Sequence, residues 1–149
     1  MKKIILLIFF TLIVSCGFKP MFSNSETNFS INEVTFDNNN GKVIYNNLKR
    51  FIKKIDKDFN YNLIIKTKEN KIITLKDKKG DASNFRLTIK ADISVIENEK
   101  LKFEKTFQES FDYNNSSKKF DLSKYEKEIK NSMLNKISEE IILILYTLQ

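Results

Sequence analysis

Residues Phe85–Phe111, FRLTIKADISVIENEKLKFEKTFQESF, decide the fold of this chain. Every second position from Phe85 to Val95 is apolar, and this alternation predicts a strand with one buried face. Asn98 and Glu99 predict a tight turn. The same period continues in a second run, which carries Leu101, Phe103, Phe107 and Phe111 with Lys105 and Glu109 in the same phase. The two runs predict a long antiparallel hairpin with one face in the core and one in water.

Two strands and a helix are predicted before this hairpin. Phe29–Phe36 alternates with a shift of phase between Ile31 and Val34, which predicts a strand. A helix is predicted over Lys42–Lys57, because a stripe recurs with a period of 3.6: Ile44, Leu48, Phe51, Ile52 and Ile55. Tyr61–Thr67 predicts a second strand, continued or repeated by Lys71–Leu75 after a turn at Lys68–Asn70.

A second helix is predicted over Leu122–Leu148. Ser123 would cap it, with Glu126 three residues later completing a capping box. Its apolar stripe contains Leu122, Tyr125, Ile129, Met133, Ile137, Ile141, Leu145 and Leu148. The last stretch is apolar on nearly all sides, which fits either burial in the domain or contact with a partner protein.

These elements predict a single α+β domain over residues 29–149. We expect a two-layer sandwich in which two amphipathic helices pack on a mainly antiparallel sheet of about four strands. The order along the chain is strand, helix, two or three strands, helix.

The N-terminus predicts export and lipidation. Lys2 and Lys3 precede an apolar run at residues 4–14, which suits a signal peptide and is short of the about 20 residues of a spanning helix. The sequence IVSC that follows resembles a bacterial lipobox. We therefore predict a signal peptide over residues 1–15, a lipidated Cys16 and a tether over 16–28. An ordinary secretory signal and a short membrane anchor are the alternatives. Gly17, in place of Asp, would permit transport to the outer membrane.

Composition argues against an enzyme. The 149 residues contain no His, one Cys and three Gly, so the commonest acid–base group, metal ligand and phosphate-loop residue are absent or scarce. We expect no catalytic residues, no metal and no cofactor. The net charge of +7 indicates an anionic partner, and a periplasmic location would make that a lipid, glycolipid or envelope protein rather than nucleic acid.

Two stretches carry a family resemblance. The sequence CGFKPMF, residues 16–22, resembles the mature N-terminus of lipopolysaccharide-assembly lipoproteins of the LptE family, especially its alphaproteobacterial branch. GDASNFRLTIKADISVIENEKLKFEKTFQESFDYN, residues 80–114, is similar to the central hairpin of that family. The resemblance implies an outer-membrane lipoprotein on the periplasmic side that plugs the LptD barrel and binds lipopolysaccharide.

Lipopolysaccharide carries phosphates that basic side chains would bind through charge-assisted hydrogen bonds. The candidates are Lys76, Lys78 and Lys79 in a basic loop, with Arg86 on the following strand. A solvated turn without a ligand is the alternative for this loop. At the level of the whole protein, the alternative is a stand-alone lipoprotein that faces the periplasm and binds anionic lipid or glycolipid.

Overall fold

The hairpin predicted from Phe85–Phe111 is present in the computed structural model, which describes residues 28–52 and 57–149. Strands β3 (Ala82–Glu97) and β4 (Lys100–Asn114) pair antiparallel. Asn98 and Glu99 connect them with φ of 50° and 62°. Two consecutive left-handed residues give a turn whose twist matches that of the flanking strands. The predicted signal peptide, Cys16, the tether before residue 28 and Ile55 lie outside the described residues.

The sheet has four strands in the order β1-β2-β3-β4, with β1 at Phe29–Phe36 and β2 at Phe59–Lys76. The β1–β2 pair is parallel, and the other two pairs are antiparallel. The register of β1 shifts between Ile31 and Glu33, where the sequence alternation changes phase. The predicted α+β class with a mainly antiparallel sheet is confirmed.

Strand β2 is continuous, so the turn predicted at Lys68–Asn70 is wrong. These three residues lie opposite Lys90, Ile89 and Thr88 of β3. The local sequence Lys-Glu-Asn favours a turn, but the unbroken ladder with β3 takes up the main-chain hydrogen bonds of Lys68 and Asn70. Long-range pairing therefore overrides the local preference.

The first helix, α1, is shorter than predicted and starts earlier. It spans Asn39–Leu48, and a 3₁₀ turn at Lys49–Phe51 follows. Asn38 caps it by accepting hydrogen bonds from the main-chain N–H groups of Asn40 and Gly41. The prediction of helix to Lys57 is wrong because Phe59 must pair with Phe29, and the chain has to return to the level at which β1 began.

The second helix, α2, spans Lys119–Thr147. It begins three residues before the predicted start, so the capping box is wrong. Ser123 lies inside the first turns, and the Glu126 carboxylate bonds to the sheet instead. The predicted stripe is buried except at Tyr125 and Leu148, of which Tyr125 is 46% exposed. No helix among the described residues is long and apolar enough to cross a membrane.

One core lies between the helices and the sheet. Among the described residues it joins β1, β2, β3, β4 and both helices through 22 buried apolar side chains. The largest of those that are fully buried are Tyr61, Phe29, Ile31, Ile44, Leu48, Leu63, Ile65, Ile89, Ile93, Leu134, Ile137 and Ile141. In the apolar tail of α2, Ile141, Ile142 and Leu145 are buried in this core, while Leu143 is 46% exposed.

Two apolar residues assigned to the core face of β4 are exposed. Leu101 is 60% exposed, because a register shift after Val95 takes it out of phase with Phe103. Phe111 is 42% exposed on β4, which is an edge strand of the sheet. Both placements in the core were therefore wrong.

Candidate functional site

Three of the predicted basic residues meet in one tight turn. Lys76 ends β2, and Lys78 and Lys79 lie in the connection to β3, all of them exposed. Asp77 organises this turn. Its carboxylate accepts hydrogen bonds from the N–H groups of Lys79 and Asp81 at 2.8 and 2.9 Å. Gly80 supplies the left-handed residue, with φ of 89°. The turn thus presents three ammonium groups to solvent from a hydrogen-bonded frame.

Arg86 lies apart from these lysines and already has an anionic partner. Lys76 pairs with Ala82, and Arg86 follows Ala82 by four residues. Arg86 therefore lies roughly 13 Å from Ala82 along β3. Its guanidinium binds the Asp112 carboxylate through two hydrogen bonds of 2.7 and 2.8 Å. These bonds and the charge pairing raise the pKa of Arg86 and lower the pKa of Asp112. Binding a phosphate through Arg86 would have to compete with Asp112.

Apolar side chains are exposed around the same end of the sheet. Leu75 directly precedes the basic turn and is 63% exposed, and Phe120 in the first turn of α2 is 83% exposed. Ile72, Ile73, Phe111 and Tyr125 are also exposed in this part of the molecule. We call this set, with Lys76, Lys78 and Lys79, the distal end. It combines cationic and apolar groups, which are the chemistry that recognises an anionic amphiphile.

A cavity of about 390 Å³ lies between the two helices and the sheet. It is lined by residues from α1, β2, β3, β4 and α2, namely Asn39, Asn40, Val43, Glu69, Lys71, Leu87, Tyr113, Ser123, Glu126, Lys127, Lys130 and Asn131. Sequence reasoning missed this cavity, because its charged groups come from elements that are distant along the chain. No local spacing links Lys71 to Glu126.

The cavity holds two ionic networks. In the first, Glu126 accepts hydrogen bonds from the Lys71 ammonium and, at 2.8 Å, from the Tyr113 hydroxyl. Burial alone would raise the pKa of Glu126, but these two hydrogen bonds lower it on balance. Burial, followed by the bond to Glu126, raises the pKa of Tyr113. The Lys71 ammonium also lies 4.3 Å from the centre of the Phe85 ring, a cation–π contact.

The second network is centred on Glu69. Its carboxylate accepts hydrogen bonds from the Asn40 amide at 3.0 Å and from the Lys130 ammonium at 3.1 Å. Partial burial opposes the charge of Glu69, but these bonds outweigh it and lower its pKa. Each carboxylate therefore pairs with a lysine, and the network ties α1, β2 and α2 together. Among the described residues, no group of three or more acidic, His or Cys side chains could hold a metal ion.

The face of the sheet opposite the helices is polar. Side chains on adjacent strands bond across it, as in Arg86–Asp112 and Thr88–Ser110 at 3.0 Å. Ser94 donates to Glu104 at 3.1 Å in the same way. The sequence predicted this wet face, and the structure shows that its polar groups are largely paired with one another.

Comparison with known proteins gives matches among solved structures alone. No family model matches the sequence, and no curated protein sequence is matched either. The rare lipoprotein B of Shewanella oneidensis has a TM-score of 0.60 at 12% identity, over 78% of this chain and 95% of that one. The chain therefore has the fold of that lipoprotein.

Two further lipoprotein structures have the same fold. A minor lipoprotein of Acinetobacter baumannii has a TM-score of 0.61 at 8% identity, over 79% of this chain and 91% of that one. An uncharacterized lipoprotein B of Nitrosomonas europaea has a TM-score of 0.55 at 11% identity, over 84% and 87% of the two chains. At sequence identities this low, the similarity to these two proteins is one of fold.

Proposed function

We propose that this protein is a lipoprotein, anchored through Cys16 on the periplasmic side of the outer membrane. In this proposal it plugs and supports the LptD barrel and binds lipopolysaccharide during assembly at the cell surface. The observation that carries the proposal is the conjunction of a lipobox-like sequence at residues 13–16 with a fold shared by proteins described as lipoproteins. The resemblance of residues 16–22 and 80–114 to the LptE family supports the more specific role.

The polar face of the sheet supports a role inside a barrel. The lumen of an outer-membrane barrel is polar, so a plug needs a polar outer surface over its own apolar core. Here the cross-strand pairs of β3 and β4 face away from the helices and supply such a surface.

A pull-down of the tagged full-length protein from its own outer membrane in mild detergent tests the barrel partnership. We expect a large β-barrel protein to be retained in a ratio near one to one. A protein that elutes alone would overturn the plug role. Cys16→Ser serves as the matched variant for anchoring, because it removes the thiol and should shift the protein from the membrane to the soluble fraction. Unchanged membrane association of Cys16→Ser would contradict lipidation at this residue.

Lipopolysaccharide binding is proposed at the distal end. The triple variant Lys76→Gln, Lys78→Gln and Lys79→Gln removes three charges from the turn and should weaken binding about tenfold or more. The control variant Lys66→Gln, Lys90→Gln and Lys100→Gln removes the same charge from exposed positions elsewhere on the sheet. An equal loss in both variants would reduce the effect to net charge and contradict a site at the turn.

A second candidate function rests on the same distal end. Exposed Leu75 and Phe120 beside three lysines would suit a stand-alone lipoprotein that binds anionic lipid or glycolipid. Binding of the Cys16→Ser protein to vesicles of anionic phospholipid, measured at low and high salt, distinguishes the two. Salt-sensitive binding without a barrel partner would favour the stand-alone role, and binding unchanged by salt would exclude it.

A further inference from the structure

The cavity between the helices and the sheet exists because α1 is shorter than the strand that it covers. Asn40, the second residue of α1, bonds to Glu69 at 3.0 Å, but β2 continues beyond this point to Lys76. Beyond Glu69 it is α2 that contacts β2, through the ion pair of Glu126 with Lys71. The sheet, the start of α1 and one side of α2 therefore enclose a space of about 390 Å³.

This space has the size and the mixed lining of a small-molecule site. Such sites begin at about 300 Å³ and combine apolar side chains with a few polar groups that converge on the ligand. Here Val43 and Leu87 contribute apolar lining, and Asn39, Ser123 and Asn131 contribute amides and a hydroxyl. These three polar side chains have no hydrogen-bond partner among the described residues, so their donors and acceptors are available to a ligand.

Each carboxylate in the cavity uses one oxygen and leaves the other free. Both donors to Glu69 bond to its Oε2 atom, and both donors to Glu126 bond to its Oε1 atom. None of the described residues donates to Oε1 of Glu69 or to Oε2 of Glu126. The two side chains are 38% and 28% exposed, so a ligand in the cavity can reach them. Two strong acceptors therefore line the same space.

Charge favours an uncharged ligand. The lining contains the carboxylates of Glu69 and Glu126 together with the ammonium groups of Lys71, Lys127 and Lys130. A ligand carboxylate or phosphate would lie beside two carboxylates, and a ligand amine would lie beside ammonium groups. A hydroxyl group suits both, because it donates to a carboxylate oxygen and accepts from a lysine N–H. Adjacent hydroxyls on one ligand would bind a carboxylate and its paired lysine without separating them.

We propose that this cavity binds a neutral sugar, whose ring hydroxyls donate to the free oxygens of Glu69 and Glu126. The lysines paired with these carboxylates donate to other hydroxyl oxygens of the sugar. The apolar C–H face of the ring packs against Val43 and Leu87. The cavity shares no residue with the distal end, so the inference does not depend on the lipopolysaccharide binding proposed there.

The test uses two neutral disaccharides, maltose and diacetylchitobiose, and the full-length protein purified in lauryldimethylamine oxide, a detergent without a sugar headgroup. Saturation-transfer NMR of the sugar protons should show saturable binding with a millimolar Kd, and added salt should leave the affinity unchanged because the ligand carries no charge. Glu126→Gln replaces an accepting oxygen by a donor and should weaken binding about tenfold. Glu128→Gln is the matched control, since Glu128 is exposed on the same helix and outside the cavity lining.

A blocking variant keeps the test decisive even where Glu126→Gln does not fold. Asn131→Trp places a large side chain in the cavity lining and should abolish sugar binding. Ser132→Trp adds the same side chain at the next residue, which is exposed and outside the lining, and should bind like the unmodified protein. The triple variant Lys76→Gln, Lys78→Gln and Lys79→Gln should also keep sugar binding, which separates this site from the distal end.

The proposal is overturned if neither disaccharide binds saturably at about 50 mM. It is also overturned by an equal loss in Glu126→Gln and Glu128→Gln, or by full binding in Asn131→Trp. Binding of glucosamine or glucuronate about tenfold tighter than glucose would show recognition of an ion and would overturn it as well. With the sugar site supported, lost lipopolysaccharide binding in Asn131→Trp assigns the sugar to the lipopolysaccharide glycan, and unchanged binding assigns it to another saccharide.

Discussion

Replacing Asn38 should destabilise the protein far more than its position on the surface suggests. Its side-chain oxygen accepts from the N–H groups of Asn40 and Gly41 at 2.9 and 3.3 Å, which caps α1. The same oxygen accepts from the Thr67 hydroxyl, and the Asn38 amide donates to the Thr67 carbonyl at 2.9 Å. Asn38 thus caps α1 and also ties the start of this helix to Thr67 of β2.

The magnitude follows from these four hydrogen bonds. Losing an N-cap costs about 1 kcal/mol. Thr67 is only 4% exposed, so stranding its hydroxyl and carbonyl adds about 1–2 kcal/mol. Asn38→Ala should therefore lower the free energy of unfolding by about 2–3 kcal/mol. Asn38→Asp keeps the accepting oxygen and loses only the donor to Thr67, so we expect a loss of about 1 kcal/mol.

Urea unfolding at neutral pH, followed by circular dichroism because the chain has no Trp, measures these differences. Asn46→Ala is the control, since Asn46 is exposed in the same helix and Ala favours helix; its effect should stay within about 0.5 kcal/mol. A loss below about 0.5 kcal/mol for Asn38→Ala, or an equal loss for Asn38→Asp and Asn38→Ala, would contradict the role of Asn38 described above.

Three further predictions concern the cavity, the core and the start of α1. The hydrogen bonds from Lys71 and Tyr113 lower the pKa of Glu126 in the folded state, so its contribution is present above the unfolded pKa of about 4.3 and is lost as the pH falls. Glu126→Gln should therefore lower the free energy of unfolding by about 1 kcal/mol at pH 7 and by nearly nothing at pH 3. Urea unfolding at the two pH values measures both losses, and equal losses would contradict this prediction. Leu134→Ala should lower the free energy of unfolding by about 2–5 kcal/mol, because Leu134 is fully buried. If thermal unfolding gives a free energy within about 1 kcal/mol of that of the unmodified protein, this would argue against the place of Leu134 in the core. Gly41→Ala should lower the free energy of unfolding in urea by about 1–3 kcal/mol, because the added methyl carbon would lie 2.8 Å from the Phe36 Cβ. An unchanged unfolding midpoint would show that β1 and α1 separate easily.

Features that repeat over a short range could be predicted from the amino-acid sequence alone. Alternation from Phe85 to Val95 and the Asn98–Glu99 turn located the hairpin, because strand period and turn conformation depend on neighbouring residues. The same reasoning located the buried stripe of α2 and the turn that holds Lys78 and Lys79. It also identified the wet face of β3 and β4.

Features that depend on residues distant along the chain could be seen only in the folded structure. β2 runs through Lys68–Asn70 because β3 pairs with it, and α1 ends at Leu48 because Phe59 returns beside Phe29. Glu126 bonds to Lys71 and Tyr113 rather than to a helix cap, and Arg86 pairs with Asp112 rather than joining the basic turn. Such contacts join residues that are far apart in sequence, and no local period encodes them.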